Sequence, residues 1–152
     1  MGLLKIRKRP AAILRKKTRR VRDSETIEKS LLEDMVQTMR ANKGIGLAGP
    51  QVGLDKAVAV VDTGGGAVIL INPEITSRRG AATFEEGCLS VPGCAVKVRR
   101  SEEVTVSYLD ENRQKRRRVF KGLSAIVVQH EIDHLNGKLI SDHRPWYKRL
   151  MK

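Results

Sequence analysis

Residues 123–137, Leu-Ser-Ala-Ile-Val-Val-Gln-His-Glu-Ile-Asp-His-Leu-Asn-Gly, set the tightest limit on how this chain can fold. Ile126, Val127, His130, Ile132, His134 and Leu135 cover most sides of a helix, so it must lie centrally with other elements around it. The spacing predicts a start at Leu123 or Ser124 and an end at Asn136, with Gly137 as the left-handed stop. At 152 residues and 17.0 kDa the chain has room for one compact domain around that helix, so residues 1–152 are expected to form one unit.

The surroundings read as one further helix and a series of strands. Ile27, Leu31, Met35 and Met39 recur every fourth residue, flanked by Leu32 and Val36, which predicts an amphipathic helix. Asp23 or Ser24 would cap its start, and it should end near Asn42. Apolar runs at 57–62 and 67–72, divided by Thr63-Gly64-Gly65-Gly66, predict a hairpin. Shorter strands are expected at 75–79, 82–85, 95–99, 104–109 and 116–120, with a turn at Asp110-Glu111-Asn112. Helix, strands, then helix indicates an α+β fold, with antiparallel sheets packed around the central helix.

Charge and composition exclude several classes. No run of 18 apolar residues occurs, so no membrane-spanning helix is expected. Thirty Lys and Arg against 17 Asp and Glu give a net charge of +13, a field that attracts polyanions such as nucleic acid or ribosomes. Scarce aromatic residues argue against single-strand nucleic-acid binding, which needs stacking platforms. Two cysteines make no disulfide framework, so a reducing, cytoplasmic setting is expected. Residues 1–22 hold ten basic residues and no acidic one, but Leu3, Leu4, Ile6, Ile13, Leu14 and Val21 break up the charge. This segment suits either a transit peptide or a strap over the domain, and its lack of serine favours the strap.

The central helix contains His130-Glu131-Ile132-Asp133-His134, an H-E-x-x-H pattern. Spacing i,i+4 places both imidazoles on one face, where they can share a metal ion, and Glu131 falls beside that ion as a candidate base. Two histidines at this spacing can also be ordinary core or surface residues. A third ligand is not dictated by the pattern: His143 lies beyond Gly137, and Cys88 sits in Glu85-Glu86-Gly87-Cys88-Leu89-Ser90, while Cys94 reads as a buried inert thiol. The segment Gly44-Ile45-Gly46-Leu47-Ala48-Gly49-Pro50-Gln51 is either a plain helix-terminating loop or a wall that a substrate backbone can approach.

Taken together, Gly44 to Gln51, Glu86 to Ser90 and Gln129 to Gly137 resemble, in order and separation, the three signature motifs of the peptide deformylase family. The resemblance extends over nearly the whole chain and makes the N-terminal basic segment part of the domain. It implies a metal-dependent hydrolase that removes the formyl group from formylmethionyl nascent polypeptides and releases formate. In that reading Cys88, His130 and His134 hold one divalent metal, Fe²⁺ first, with Zn²⁺ or Ni²⁺ as alternatives. Glu131 takes a proton from water and returns it to the departing amine, while the Gln51 amide and the Leu89 backbone N–H steady the oxyanion. Gly44, Ile45, Gly46, Phe84, Glu86, Leu123, Ile126 and Val127 form the substrate wall, the larger apolar ones making the methionine slot. Glu86 is also expected to form a buried pair with Arg100 that orients the Cys88 loop.

Two departures stand out from the family pattern. Gly49 replaces the usual second alanine and is expected to loosen its loop slightly, and Ala95 stands near the position of an arginine linked to gripping downstream peptide. The expected partners are formylmethionyl peptides and the ribosome, the latter through basic residues at 113–118 and in the tail, where Lys138, Arg144, Lys148, Arg149 and Lys152 lie. A monomer is expected. A metallopeptidase would share H-E-x-x-H but lack the Cys88 loop, and a non-catalytic ribosomal protein would leave Gln51, Cys88 and Glu131 without a purpose.

Overall fold

The structure is a computed structural model and describes residues 2–143; the basic tail positions from Arg144 onward lie outside the described residues. In chain order the elements are α1 (Lys29–Ala41), β1 (Gly46–Ala48), β2 (Val58–Val61), β3 (Val68–Arg79), β4 (Ala82–Cys88), β5 (Val91–Arg100), β6 (Glu103–Leu109), β7 (Lys115–Lys121) and α2 (Leu123–Leu135). Short 3₁₀ turns cover Ala12–Arg15, Gly49–Val52 and Ile140–His143. One antiparallel sheet has the order β1-β2-β3-β6-β7, and β4 and β5 form a second, two-stranded sheet. This is the α+β arrangement expected, with the hairpin across the glycine run formed by β2 and β3.

Helix α2 packs Ala125, Val127 and Val128 against Val61, Leu70, Val104, Val106 and Phe120 of the large sheet. Its opposite side meets β4, where Glu86 and Cys88 contact its two histidines. Asn136 ends the helix and Gly137 turns left-handed at φ 76°, where a Cβ would lie 2.5 Å from the Arg15 carbonyl oxygen. Only glycine fits that stop.

Three local expectations are corrected. Helix α1 starts at Lys29, not near Ser24. The reason is tertiary: the Arg113 guanidinium donates to the carbonyls of Arg22 and Glu25 (2.9 Å each), taking acceptors a helix would need. Strands predicted apart at 67–72 and 75–79 are one strand, β3, which passes Pro73 through register shifts against β6. Asn72 makes this possible, adopting φ 51° and exchanging two side-chain hydrogen bonds with the Val21 backbone (2.8 and 2.9 Å). Gly49, finally, does not loosen its loop. A Cβ there would meet the carbonyl oxygens of Lys56 and Leu54 at 2.8 and 2.9 Å, so its absence lets the backbone of 54–56 close in.

The N-terminal segment is a strap. Arg7 N–H donates to the Gln51 carbonyl (2.6 Å), Arg9 N–H to that of Ser90 (2.8 Å) and Thr18 N–H to that of Leu135 (2.8 Å). Leu14 and Val21 are buried. Three parts of the site, the Gln51 turn, the Cys88 loop and the end of α2, are thus tied to one stretch of chain. Among the described residues no helix is long and apolar enough to cross a membrane.

Candidate active site

On α2 the i,i+4 spacing brings His130 Nε2 and His134 Nε2 to 3.2 Å. Cys88, at the end of β4, places its Sγ 3.2 Å from His134 Nε2, and the three donor atoms lie within 4.8 Å of one another. Cys94 is not one of these donors and sits in an apolar cluster with Val91, Val96, Leu139 and Ile140, against which Cys88 also packs.

Glu86 precedes Cys88 by two residues, across a register shift in the β4–β5 pairing, and both side chains reach the histidines of α2. Both its oxygens are engaged: Arg100 donates from Nε (2.9 Å) and Nη2 (2.8 Å), and Oε1 also lies 2.8 Å from His130 Nδ1. The buried Arg100 reaches on to Asp133 at 2.6 Å. This chain fixes the His130 ring and leaves its Nε2 facing Cys88, the arrangement seen around metal-ligating histidines. The Arg100 pair was legible in the sequence; Asp133 and the contact with His130 were not.

Gln51 is buried and oriented from behind, because the Ala48 N–H donates to its Oε1 (2.9 Å). Its Nε2 points to Ser90 Oγ (3.2 Å) and Cys88 Sγ (3.6 Å). Gln129, beside His130, fastens α2 to the β5–β6 turn through Ser101 N–H and C=O (3.0 and 2.8 Å).

The electrostatics treat the two donor histidines oppositely. Burial opposes a charged His130, yet Cys88, Glu131 and Glu86 together push it up to about 10. Burial and the repulsion of His130 and Arg100 hold His134 well below the ordinary histidine value. Burial also acts against ionised Glu86, but the hydrogen bonds of Arg100 and His130 win and hold it at about 2. Glu131 is the opposite case: burial, helped by Glu86 and Asp133, raises it to about 7 against the pull of His130 and Arg100. Its Oε1 and His134 Nδ1 are buried with no hydrogen-bond partner among the described residues. A soft thiolate, two imidazoles and a carboxylate on the outer nitrogen of one ring fit a divalent transition metal.

A cavity of about 450 Å³ opens beside the donors. Its lining includes Gly44, Ile45, Gly46, Gln51, Phe84, Glu86, Cys88, Leu89, Leu123, Ile126, Val127, His130 and Glu131, so of the expected site residues only His134 is set behind it. Lys43 and Glu85 also line it and carried no sequence signal, and Gly87, inside the Glu86 to Ser90 motif, lines it as well. Ile45, Phe84 and Leu123 are each 38–48% exposed, as befits an apolar slot open to a ligand and not core. Ala95 is exposed on β5 and outside this lining. Gly46 has a tight neighbour: a Cβ there would collide with Glu131 Oε2 and lie 2.8 Å from Val127 Cγ1.

A mixed α+β scaffold carrying H-E-x-x-H on its central helix, closed by a cysteine and open to an apolar cavity, defines a metal-dependent hydrolase. The family model described as polypeptide deformylase matches residues 3–149. Peptide deformylase 1 of Clostridium perfringens is 44% identical over 145 residues, 94% of this chain and 99% of that protein. The peptide deformylase of Halothermothrix orenii is 46% identical, covering 93% of this chain and 94% of the relative. A Legionella pneumophila peptide deformylase crystal structure superposes with a TM-score of 0.90 at 42% identity (99% and 90% of the two chains), and that of Thermotoga maritima with 0.91 at 38% (95% and 99%). The chain belongs to the polypeptide deformylase family, hydrolases that remove the N-terminal formyl group from formylmethionyl nascent polypeptides and release formate.

Proposed function

We propose that Cys88, His130 and His134 hold one divalent metal ion and that Glu131 is the proton carrier of the deformylation. The carrying observation is the convergence of three donor atoms within 4.8 Å beside a cavity whose lining includes Glu131. The bound ion supplies Lewis acidity, which makes a water nucleophilic near neutral pH and polarises a carbonyl oxygen. Glu131, whose burial favours carrying a proton, takes the proton as water adds to the formyl carbon and hands it to the amine nitrogen as the C–N bond breaks. The Gln51 amide and the Leu89 N–H steady the oxygen that gains charge, each such donor being worth about 10²–10³ in rate.

Both β1 and β4 are edge strands with cavity-lining residues, so an extended peptide fits between Gly44 to Gly46 on one side and Phe84 to Gly87 on the other. Ile45, Phe84, Leu123, Ile126 and Val127 take the methionine side chain, while Glu86, with both oxygens engaged, acts by holding His130 and the Cys88 strand. Fe²⁺ is the favoured ion in the cell on the family resemblance, although affinity for these donors alone would favour Zn²⁺ or Ni²⁺ over it. Residues 1–152 act as one catalytic domain and a monomer, in the cytoplasm, where the basic surface meets the ribosome.

The test is formate release from formyl-Met-Ala-Ser by anaerobically purified protein, with the acetyl analogue as control. Glu131→Gln should keep about one metal per chain and lose several orders of magnitude in turnover. Loss of metal in that variant would make Glu131 a ligand and end this assignment.

A further inference from the structure

Strand β7 reads Lys-Arg-Arg-Arg-Val-Phe-Lys and exposes every residue except Phe120. Among the described residues it is the free edge of the five-stranded sheet, paired only with β6. Nothing in hydrolysis of a small neutral formyl group calls for five cations on one strand.

Their partners are few. Arg116 pairs with Asp110 at 2.8 Å, and Lys121 lies 3.7 Å from Glu103. Among the described residues, Lys115 and Arg117 meet no carboxylate, and the Arg118 guanidinium rests 5.0 Å over the Phe120 ring, held in place but not neutralised. Register puts Lys115, Arg117 and Lys121 opposite Leu109, Ser107 and Glu103 on one face, with Arg118 on the other. On that face Lys115 and Arg117, two residues apart, sit roughly 7 Å from each other, inside the screening length of about 8 Å, so they repel unless a polyanion lies across them.

We propose that β7 is a docking surface for the phosphate backbone of double-helical RNA. Arginine suits phosphate through its forked donors, and cations on both faces of an exposed edge can reach phosphates on either side of a groove. The strand exposes no aromatic side chain, which removes the stacking platform a single strand would use and leaves backbone contact with a duplex. The strand also leads through Gly122 directly into Leu123 at the cavity, so a docked duplex would lie beside the peptide entrance. The choice of RNA rests on the ribosome-docking reading above, since nascent chains leave a particle rich in RNA.

The test compares wild type with Lys115→Gln/Arg117→Gln/Arg118→Gln, and with the charge-keeping Lys115→Arg/Arg117→Lys. Anisotropy on a labelled RNA duplex of about 16 base pairs, titrated with salt, should show the triple variant weakened roughly tenfold or more. Its log–log salt slope should drop by roughly 2–3, from three lost contacts at about 0.7–0.9 each. The charge-keeping variant should match wild type, and turnover of formyl-Met-Ala-Ser should be the same in all three. An unchanged slope in the triple variant, tighter binding to single-stranded RNA, or equal loss of binding to polyglutamate would overturn the proposal. Co-sedimentation with ribosomes separates the two readings. Duplex binding that depends on β7 without ribosome binding keeps this surface and ends the ribosome reading, while formyl-peptide turnover tests the hydrolase independently of both.

Discussion

Gly46→Ala offers a sharp test of Glu131, because the perturbation is one methyl group and its neighbours are known. Gly46 is held in β1 by pairing with Val61, so its backbone cannot retreat without breaking a strand. An added Cβ would overlap Glu131 Oε2 and stand 2.9 Å from Glu131 Cδ and 2.8 Å from Val127 Cγ1. Ordinary contact requires the carboxylate to move by roughly half an ångström or more, in a core where close packing leaves little slack. A misplacement approaching 1 Å in a reacting group costs about 10²-fold in rate. Overpacking of this kind costs about 1–3 kcal/mol in stability. The expected result is therefore kcat/KM on formyl-Met-Ala-Ser lowered about a hundredfold with metal content unchanged by elemental analysis. Turnover within threefold of wild type would refute the placement of Glu131 at the reacting centre, and loss of the metal would show that the methyl group disturbs the ligands instead.

Other expectations test separate parts of the structure. Gly49→Ala should destabilise by about 1–3 kcal/mol in urea unfolding, because the carbonyls of Leu54 and Lys56 fill the space of the methyl group. Co²⁺-substituted protein should show sulfur-to-metal charge transfer that survives Cys94→Ala and vanishes in Cys88→Ala; the reverse would assign the wrong thiol. Glu25 is held at about 2 by the Arg22 N–H and the Arg19 guanidinium, below its ordinary value of 4.5. A depressed acid adds stability that is complete above pH 4.5 and lost as pH falls towards 2, so Glu25→Gln should flatten the thermal midpoint against pH in that window. An equally steep curve in the variant would remove Glu25 from the acid response.

What the sequence disclosed was whatever depends on spacing along the chain. The i,i+4 histidines and the Gly137 stop are read from a single helix, and both stand where they were expected. Cys88 was separable from Cys94 only through the residues on either side of it. The start of α1 was misplaced because its competitor, Arg113, comes from a turn 88 residues later, and no local pattern contains that contact. Asp133 had no signal for the same reason: it is one more acid on a helix until Arg100 arrives from β5 at 2.6 Å. Gly49 shows the converse. A glycine read as loosening proves to be a close approach, which depends on the backbone of 54–56 folding over it.

Two carboxylates flank His130, and their environments divide the work between them. Glu86 faces Arg100 with both oxygens, and this overcomes burial to keep it ionised down to about pH 2. It cannot exchange a proton in the working range and serves as a fixed negative charge behind the His130 ring. Glu131 sits on α2 beside His130 and takes no hydrogen bond from Arg100, and burial lifts it to about 7 against the pull of His130 and Arg100. A carboxyl pushed up from the ordinary range is suited to accept a proton from water and later release it to an amine. Exchanging the environments would disable both, since an unpaired Glu86 would no longer hold His130 and a salt-bridged Glu131 would stay ionised throughout. Arg100 therefore decides more than the pair it forms: by taking Glu86 and Asp133 as its partners, it leaves Glu131 as the carboxyl beside the donors that burial pushes towards carrying a proton.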